Sequence, residues 1–466
     1  AMASNHMDHR FDDEPRGIFP PIPSLSTVVS YIPPLHEIHS AMIGMPKELA
    51  PTGMAEAVGY HHVPATDSHP PLRVFYPATA PSSSHTKGGN TITATATPIR
   101  WFEACEGGVR PFIFGYAHML FARQNTALFK YLVRPVAFFI SLLLPMGWLR
   151  VPGVYKDAPF CMPDLSTSSS SQPSSESSTV LSESKSGSTN KLPAIVFSHG
   201  LTGTGQENFS LCAAWAKQGF VVASVHHVDG SSCNVRAADG SQMYYKHGPP
   251  LSNYDPAFRC NQVDERAKQL ISAVDFVLPK TKSESINTND NDGDDAQPEN
   301  SALLDDIRNA VDPNRIVGAG FSYGAATTAR AIAMEPQRFC AAMFLDGWFH
   351  IDVQKSAGVQ FSFPKEAFEQ PMPQIPSIFI DSQQFEGYPS LFRSTQQLAR
   401  KMNAGDETVH VLPNTGHQNF CDVIFWLNDF TLRKMMLSAI GKADTGTAFK
   451  QISSMTIEFL RRKVLV

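Results

Sequence analysis

The sequence feature most suggestive of chemistry is Ser322, the centre of the G-x-S-x-G pattern at residues 320–324. The β-branched residues that begin at Ile316 predict a buried strand, and residues 325–334 predict a helix that Pro336 ends. A strand that turns sharply into a helix leaves no room for side chains two residues either side of the serine, and it lifts the serine hydroxyl clear of the sheet. The pattern therefore predicts a serine nucleophile.

The predicted nucleophile needs a general base, because a serine hydroxyl is a poor nucleophile near neutral pH. The chain order with this pattern is serine, acid and then histidine, so the base is expected after Ser322. His417 lies in the loop LPNTGHQNF, just past the last predicted strand at residues 407–412, where it can reach back across the edge of the sheet. His410 lies inside that strand and His350 follows an aromatic run, so His417 is the predicted base.

Two aspartates are candidates for the acid that orients the histidine. Asp346 ends the apolar run CAAMFLD, and Asp381 ends the apolar run SIFID. Their positions alone do not separate them. The usual acid of this fold follows the second strand after the nucleophile, and that position favours Asp381.

The predicted oxyanion hole uses two backbone N–H groups. One belongs to Tyr323, directly after the nucleophile, and the other to Leu201 in the turn FSHGLTGTG. Glycines in that turn allow the backbone to approach a substrate closely. His199, in the same turn, is predicted to be structural.

These residues need a scaffold in which strands alternate with helices. Beyond the elements around Ser322, apolar runs predict strands at residues 194–198, 220–225, 340–345 and 377–380, and helices at residues 208–218 and 263–278. Such alternation predicts an α/β fold with a mostly parallel, doubly wound sheet and with the catalytic groups at the carboxyl ends of strands.

The domain organisation follows from composition. Residues 1–7 are typical of a cloning scar, residues 8–59 form a lead-in, and residues 60–466 are predicted to form a single domain. Three insertions poor in apolar residues are expected to be mobile loops, at about 78–98, 166–190 and 281–301. The last of these is acidic and is interpreted as a solvated loop rather than a calcium site. No metal site and no cofactor site are predicted.

The composition excludes several classes of partner and site. The formal net charge of -5, with no dominant basic run, argues against a nucleic-acid partner. Seven scattered cysteines without a C-x-x-C pattern indicate neither a disulfide scaffold nor a zinc site. A reducing setting, cytoplasmic or at the membrane periphery, is favoured. Residues from Asp8 onward lack the apolar core of a signal peptide, but secretion stays open.

The longest apolar stretch, residues 135–149, has fifteen residues and contains Pro145. A membrane-spanning helix needs about 20 residues, so this stretch is predicted to be a core helix, a cap over the active site or a surface that contacts lipid.

Six blocks of the sequence resemble the platelet-activating-factor acetylhydrolase family, the lipoprotein-associated, group VII-type phospholipase A2 branch of the α/β-hydrolases. They are LRVFYPAT, IVFSHGLTGTG, GFVVASVHHVD, DPNRIVGAGFSYGAATT, CAAMFLDGWF and GHQNFCD, in chain order from Leu72. The resemblance extends from Leu72 to the C-terminus, apart from the insertions. It implies an α/β-hydrolase fold.

The resemblance also implies roles for individual residues. It places the catalytic acid on Asp346 rather than Asp381, the base on His417, and the oxyanion donors on Leu201 and Tyr323. The sequence departs from the family where His226 replaces the usual glutamate and Val228 the usual arginine. It also departs at the elbow, where Phe321 replaces a histidine, and at Asp381, which replaces an asparagine.

The activity that the resemblance implies is calcium-independent hydrolysis of a short or oxidised sn-2 acyl ester of a glycerophospholipid, with contact to a lipid interface. The alternative is a carboxylesterase or lipase of broad specificity that acts on small or polymeric esters. A hydrolase fold used only for binding is a third hypothesis, which the presence of Ser322, His417 and a choice of acid disfavours.

Overall fold

The structure is a computed structural model of the 466-residue chain. It describes residues 53–80, 84–87, 90–93, 98–121, 131, 135, 137–138, 150–163, 191–248, 256–280, 298–349, 372–402, 409–425 and 440–465.

Among these residues the strands, in chain order, are β1 (Ala57–Val63), β2 (Leu72–Ala78), β3 (Ser84–Lys87), β4 (Asn90–Thr93), β5 (Val154–Lys156), β6 (Leu192–Ser198), β7 (Val221–Val225), β8 (Asn234–Arg236), β9 (Gln242–Tyr244), β10 (Val311–Phe321), β11 (Ala341–Leu345), β12 (Ser377–Ser382) and β13 (Val409–Leu412). Nine of them form one sheet in the order β13-β12-β11-β10-β6-β7-β2-β1-β5. The run from β13 to β7 is parallel throughout, while β2 pairs antiparallel with both β7 and β1. The predicted mostly parallel sheet is confirmed.

Helices cover both faces of this sheet. The α-helices are α1 (Val109–Phe121), α2 (Phe209–Lys217), α3 (Pro256–Val277), α4 (Pro298–Ala310), α5 (Tyr323–Met334), α6 (Gln383–Glu386), α7 (Pro389–Lys401) and α8 (Thr445–Lys463). Short 3-10 helices lie at Trp101–Ala104, Pro336–Arg338, His417–Phe420 and Asp422–Phe425. Buried side chains of α3, α5 and α7 join one apolar core, and those of α2 and α8 join the other.

The alternation of side chains along the strands explains the two cores. In β6, Ala194 and Val196 pack in the core that contains α3 and α5, whereas Ile195 and Phe197 pack in the core that contains α2 and α8. A strand buried on both faces reads as a continuous apolar run, as these residues do. This is the doubly wound arrangement expected from the sequence.

Element boundaries differ from the predicted ones at a few positions. The first strand begins at Ala57, slightly before the predicted start of the domain at residue 60. Helix α3 begins at Pro256 rather than residue 263, because polar residues at its start hid the helix from the apolar pattern. Strand β10 begins at Val311 and has an irregular register before Ile316, where the predicted strand starts.

Two of the predicted insertions contain regular structure where they are described. Strands β3 and β4 form an antiparallel hairpin within residues 78–98, and α4 begins within residues 281–301. The polar composition of these two segments gave no apolar pattern from which the hairpin or the start of the helix could be predicted. The tract 166–190 and most of the stretch 135–149 lie outside the described residues. Among the described helices, none has the length and apolar character needed to cross a membrane.

Candidate active site

Ser322 lies at the strained turn predicted between β10 and α5. Its backbone has φ +57° and ψ −122°, a conformation that non-glycine residues rarely adopt. A Cβ on Gly320 would lie 2.2 Å from the carbonyl oxygen of Gly324, and a Cβ on Gly324 would lie 1.9 Å from the carbonyl oxygen of Ser198. Both positions therefore require glycine, for the steric reason inferred from the pattern.

The structure brings Ser322, His417 and Asp346 together. His417 Nε2 lies 3.0 Å from Ser322 Oγ, and His417 Nδ1 lies 2.6 Å from Asp346 Oδ2. All three residues are buried. With Nδ1–H donating to the carboxylate, Nε2 is free to accept the serine proton, which is the geometry of nucleophilic catalysis by serine.

Asp346 accepts hydrogen bonds from a residue of the neighbouring strand. The N–H of Ser382 donates to Oδ1 over 2.6 Å, and the hydroxyl of Ser382 donates to Oδ2 over 2.9 Å. Asp346 itself has φ +46° at the end of β11. These two hydrogen bonds fix the orientation of the carboxyl group toward His417.

Asp381, the alternative acid, is not brought to the histidine. Among the described residues it makes no hydrogen bond to His417, although it is only 1% exposed. Burial and the neighbouring charge of Asp346 raise the pKa of Asp381 well above its usual range. Among the described residues, neither carboxyl oxygen of Asp381 has a hydrogen-bond partner. This setting disfavours the charged form of Asp381.

The other candidate histidines lie elsewhere. His410 is in β13, beside Ile380 of β12, and burial lowers its pKa. No hydrogen bond between His410 and Ser322 occurs among the described residues. His350 lies outside the described residues.

The turn after β6 lies directly against the nucleophile. A Cβ on Gly200 would stand 3.3 Å from Ser322 Cβ, so the backbone of this turn passes close to the serine at Gly200. Thr202 takes φ +67°, and its N–H donates to the carbonyl of Ser231 over 2.7 Å. The N–H of Ser322 donates to the carbonyl of Leu345. The oxyanion roles of the Leu201 and Tyr323 N–H groups stay predictions.

Arg266, on α3, anchors this turn and was missed from the sequence. It is fully buried and donates to the carbonyl of His199 and to the hydroxyls of Ser198, Ser231 and Thr327. Burial lowers its pKa to about 10, so it stays a cation at neutral pH. The sequence did contain a signal for it, since an arginine on the apolar face of a predicted helix indicates a buried cation with specific partners.

His199 has the structural place predicted for it. Its Nδ1 lies 2.7 Å from the carbonyl oxygen of Gly200, within the turn itself. Burial, with the charge of Arg266, lowers the pKa of His199 well below its usual range. The residue is therefore a neutral imidazole that shapes the turn.

Aromatic rings surround the imidazole of His417. The ring centroids of Phe385, Phe321 and Trp348 lie 4.6, 4.7 and 5.7 Å from it, each in a stacked arrangement. Phe321 is the residue that stands where the resembled family has a histidine. These three rings pack against the imidazole and restrict its orientation.

The described part of the chain contains no cluster of side chains that could bind a metal ion. No group of three or more His, Cys, Asp or Glu side chains there is arranged to hold an ion.

The fold defined by this sheet is that of the α/β-hydrolases. A solved ferulic acid esterase from Streptomyces cinnamoneus has a similar fold, with a TM-score of 0.51, 15% identity, and coverage of 89% of this chain and 92% of that one. At that identity the likeness concerns the fold alone.

Sequence comparison identifies the family. The family described as "Platelet-activating factor acetylhydrolase, isoform II" matches residues 166–465, and the chain belongs to it. Relatives named platelet-activating factor acetylhydrolase include those of Gallus gallus, 24% identical over 291 residues, and of Cavia porcellus, 27% identical over 287 residues. Each match covers 58% of this chain, and 62% and 57% of the respective relative. The resemblance stated from the sequence blocks is confirmed.

Proposed function

We propose that this chain is a serine esterase that hydrolyses the sn-2 acetyl, short or oxidised acyl ester of glycerophospholipids. The observation that carries the proposal is the hydrogen-bonded series Ser322–His417–Asp346, at 3.0 and 2.6 Å, in a chain of this family. The names of the relatives support the substrate class.

In the proposed reaction, Ser322 Oγ attacks the carbonyl carbon of the ester while His417 Nε2 takes its proton. Asp346 holds the Nδ1–H and stabilises the imidazolium. The N–H groups of Leu201 and Tyr323 bind the oxygen that becomes negative. As the bond between the carbonyl carbon and the sn-2 oxygen breaks, His417 gives its proton to that departing oxygen, which becomes the hydroxyl of the lysophospholipid, and the acyl group stays on Ser322 as an acyl-enzyme. Water, activated by His417, hydrolyses this intermediate and releases the fatty acid.

Asp346 is the acid of this proposal, and Asp381 is not. Asp346 has the contact to His417 and accepts the N–H and hydroxyl of Ser382. Asp381 makes no such contact among the described residues, and its raised pKa disfavours the charge that would stabilise an imidazolium.

A carboxylesterase of broad specificity is the second candidate. Phe321 and His226 support it, because both differ from the resembled family close to the elbow and the oxyanion turn. A series of phosphatidylcholines with sn-2 chains from acetyl to palmitoyl, assayed beside aryl esters, separates the two. A steep preference for short sn-2 chains supports the lipid esterase, and equal or better turnover of aryl esters favours the alternative.

Independence from metal ions is the second part of the proposal. We expect full turnover in excess EDTA, because the proposed steps use only protein groups. Loss of activity on chelation that calcium restores would contradict it.

Contact with a lipid surface through residues 135–149 is the least supported part. Of this stretch, Ala137 is buried and the ring of Phe138 lies 4.4 Å from the guanidinium of Arg110. We expect Phe138→Asp to weaken binding to phosphatidylcholine vesicles while it spares hydrolysis of a dissolved short-chain ester. Equal loss of both activities together with thermal stability would assign the stretch to the core.

A further inference from the structure

Two buried carboxylates outside the proposed triad hold the two loops that the reaction needs. Glu207 lies beside the oxyanion turn, and Asp422 lies on the loop that carries His417. They are 7% and 1% exposed, respectively. In the described part of the chain, none of their hydrogen-bond partners is a lysine or arginine.

Glu207 binds the oxyanion turn at Thr204. Its Oε2 accepts the N–H of Thr204 over 2.5 Å, and its Oε1 accepts the hydroxyl of Thr204 over 3.0 Å. Thr204 follows Leu201 closely in a turn that already contains the strained Thr202. The carboxylate therefore fixes the direction of the backbone that presents the Leu201 N–H.

Asp422 binds the histidine loop to helix α2. Its Oδ2 accepts the N–H and the hydroxyl of Ser210, each over 3.0 Å, in the first turn of α2. Asn208 strengthens the same junction by donating to the carbonyl of Phe420 over 2.7 Å. The positive end of α2 favours a carboxylate at this place. Asp422 thus sets the distance between the histidine loop and the turn that leads into α2.

The two carboxylates are joined to one another and to a common segment. The N–H of Asp422 donates to the carbonyl of Glu207. From residues 98–121, upstream of the family match, Tyr116 donates its hydroxyl to Glu207 Oε1 over 2.9 Å, and Trp101 donates its indole N–H to Asp422 Oδ2 over 3.0 Å. A single segment therefore contacts both halves of the site.

Neutral side chains could join these elements at lower cost, because buried carboxylates without a countercharge are expensive. Burial raises the pKa of Asp422 to about 7 and raises the pKa of Glu207, which reflects that cost. Each of the two carboxyl groups nevertheless accepts three hydrogen bonds, and the donors come from separate parts of the chain, so each group fixes the relative positions of those parts. Such fixed positions have their use where an oxyanion donor and a general base must keep a fixed separation.

We propose that Glu207 and Asp422 are positioning residues that hold the oxyanion turn and the His417 loop at the separation the reaction requires, with Tyr116 and Trp101 as their donors. The inference rests on the proposed function, since it assigns these residues a role in that reaction.

The test measures kcat and KM on a dissolved short-chain ester, the rate of Ser322 labelling by a fluorophosphonate, and the melting temperature. Glu207→Gln and Asp422→Asn should each lower kcat and the labelling rate by about tenfold or more, with KM within about twofold, because the lost alignment acts in the transition state. Tyr116→Phe should lower both rates severalfold. The inference would be overturned if KM rose by the same factor as kcat fell, or if neither constant changed.

Two matched variants separate positioning from stability. Tyr60→Phe removes a buried hydroxyl that donates to Ala104 of the same segment, and not to a carboxylate. Asp444→Asn alters a cap on α8 that accepts the N–H and hydroxyl of Thr447, as Asp422 does with Ser210. Both should keep the wild-type kcat even where the melting temperature falls. If Tyr116→Phe and Tyr60→Phe lose kcat in proportion to their melting temperatures, the role is structural and the inference is wrong.

The wild-type chain distinguishes this failure from that of the proposed function. If wild-type chain is not labelled at Ser322, the proposed function falls and the inference falls with it. If wild type is labelled and Glu207→Gln and Asp422→Asn are labelled equally fast, the inference alone falls.

Discussion

Two aspartates lie at the ends of the neighbouring strands β11 and β12. They have similar neighbours in the sequence but different hydrogen-bond partners in the structure. Asp346 and Asp381 each follow an apolar strand, the strands are parallel neighbours, and both side chains are almost wholly buried. Asp346 receives the N–H and hydroxyl of Ser382 and contacts His417. Asp381 instead has a raised pKa, because of burial and the charge of Asp346.

The difference shows that hydrogen-bond donors, rather than strand position, distinguish the two carboxyl groups. A buried carboxyl group needs such donors to replace the water that it loses. Ser382 supplies these donors to Asp346 from the position directly after Asp381. Strand β12, which contains the alternative acid Asp381, therefore also contains the residue that donates hydrogen bonds to Asp346.

The largest expected effect is that of Asp346→Asn. An amide at this position favours the wrong histidine tautomer and removes the charge that stabilises the imidazolium, so kcat should fall by up to about 10⁴-fold. Steady-state kinetics on a short-chain ester measure it. A loss smaller than that caused by Asp381→Asn would reverse the assignment of the two acids.

A smaller effect is expected from Ser382→Ala, which removes one of the donors to Asp346 and leaves the backbone N–H in place. We expect kcat to fall by about tenfold, since a hydrogen bond to a charged group is worth more than a neutral one.

Ser377→Ala is the matched control, because Ser377 is also buried in β12 and its hydroxyl donates to the carbonyl of Ile375, away from the site. It should leave kcat within about twofold of wild type. Similar losses for both variants would mean that Ser382 acts on the strand and not on Asp346.

Of the two acids, Asp381 should matter less to turnover: we expect Asp381→Asn to lower kcat by less than about tenfold, because Asp381 does not contact His417 and its raised pKa already disfavours the charge that the amide removes. Stability should respond instead. The folded pKa of Asp381 is raised, so the unfolded chain ionises first, and wild-type stability falls relative to the variant as pH rises above about 4. Melting temperatures of both proteins between pH 4.5 and 7.5 measure the gap. A gap that stays constant or narrows with rising pH would show that Asp381 is ionised in the folded chain.

The sequence predicted what depends on neighbours along the chain. The strained turn at Ser322 and the apolar strands around it follow from local sterics and side-chain periodicity, and the structure has them at the expected residues. His417 was predicted by its place after the last strand, and it lies within reach of Ser322. Its catalytic role stays a prediction.

What the sequence could not supply are contacts between distant residues. The choice between Asp346 and Asp381 depends on Ser382, which pattern alone did not connect with either acid, and the family resemblance was needed to favour Asp346. Arg266, Glu207 and Asp422 are buried ionisable groups with hydrogen-bond partners on distant parts of the chain. Periodicity marks such positions as core or surface, and it says nothing about which partner will satisfy their charge.

The central claim is that Ser322 is the nucleophile, and covalent labelling tests it most directly. Treatment with a fluorophosphonate, followed by peptide mass spectrometry, should find one adduct on Ser322, abolish esterase activity in parallel, and fail to label Ser322→Ala. Esterase activity that survives complete modification of Ser322, or an adduct on another residue that accounts for the inactivation, would contradict the account.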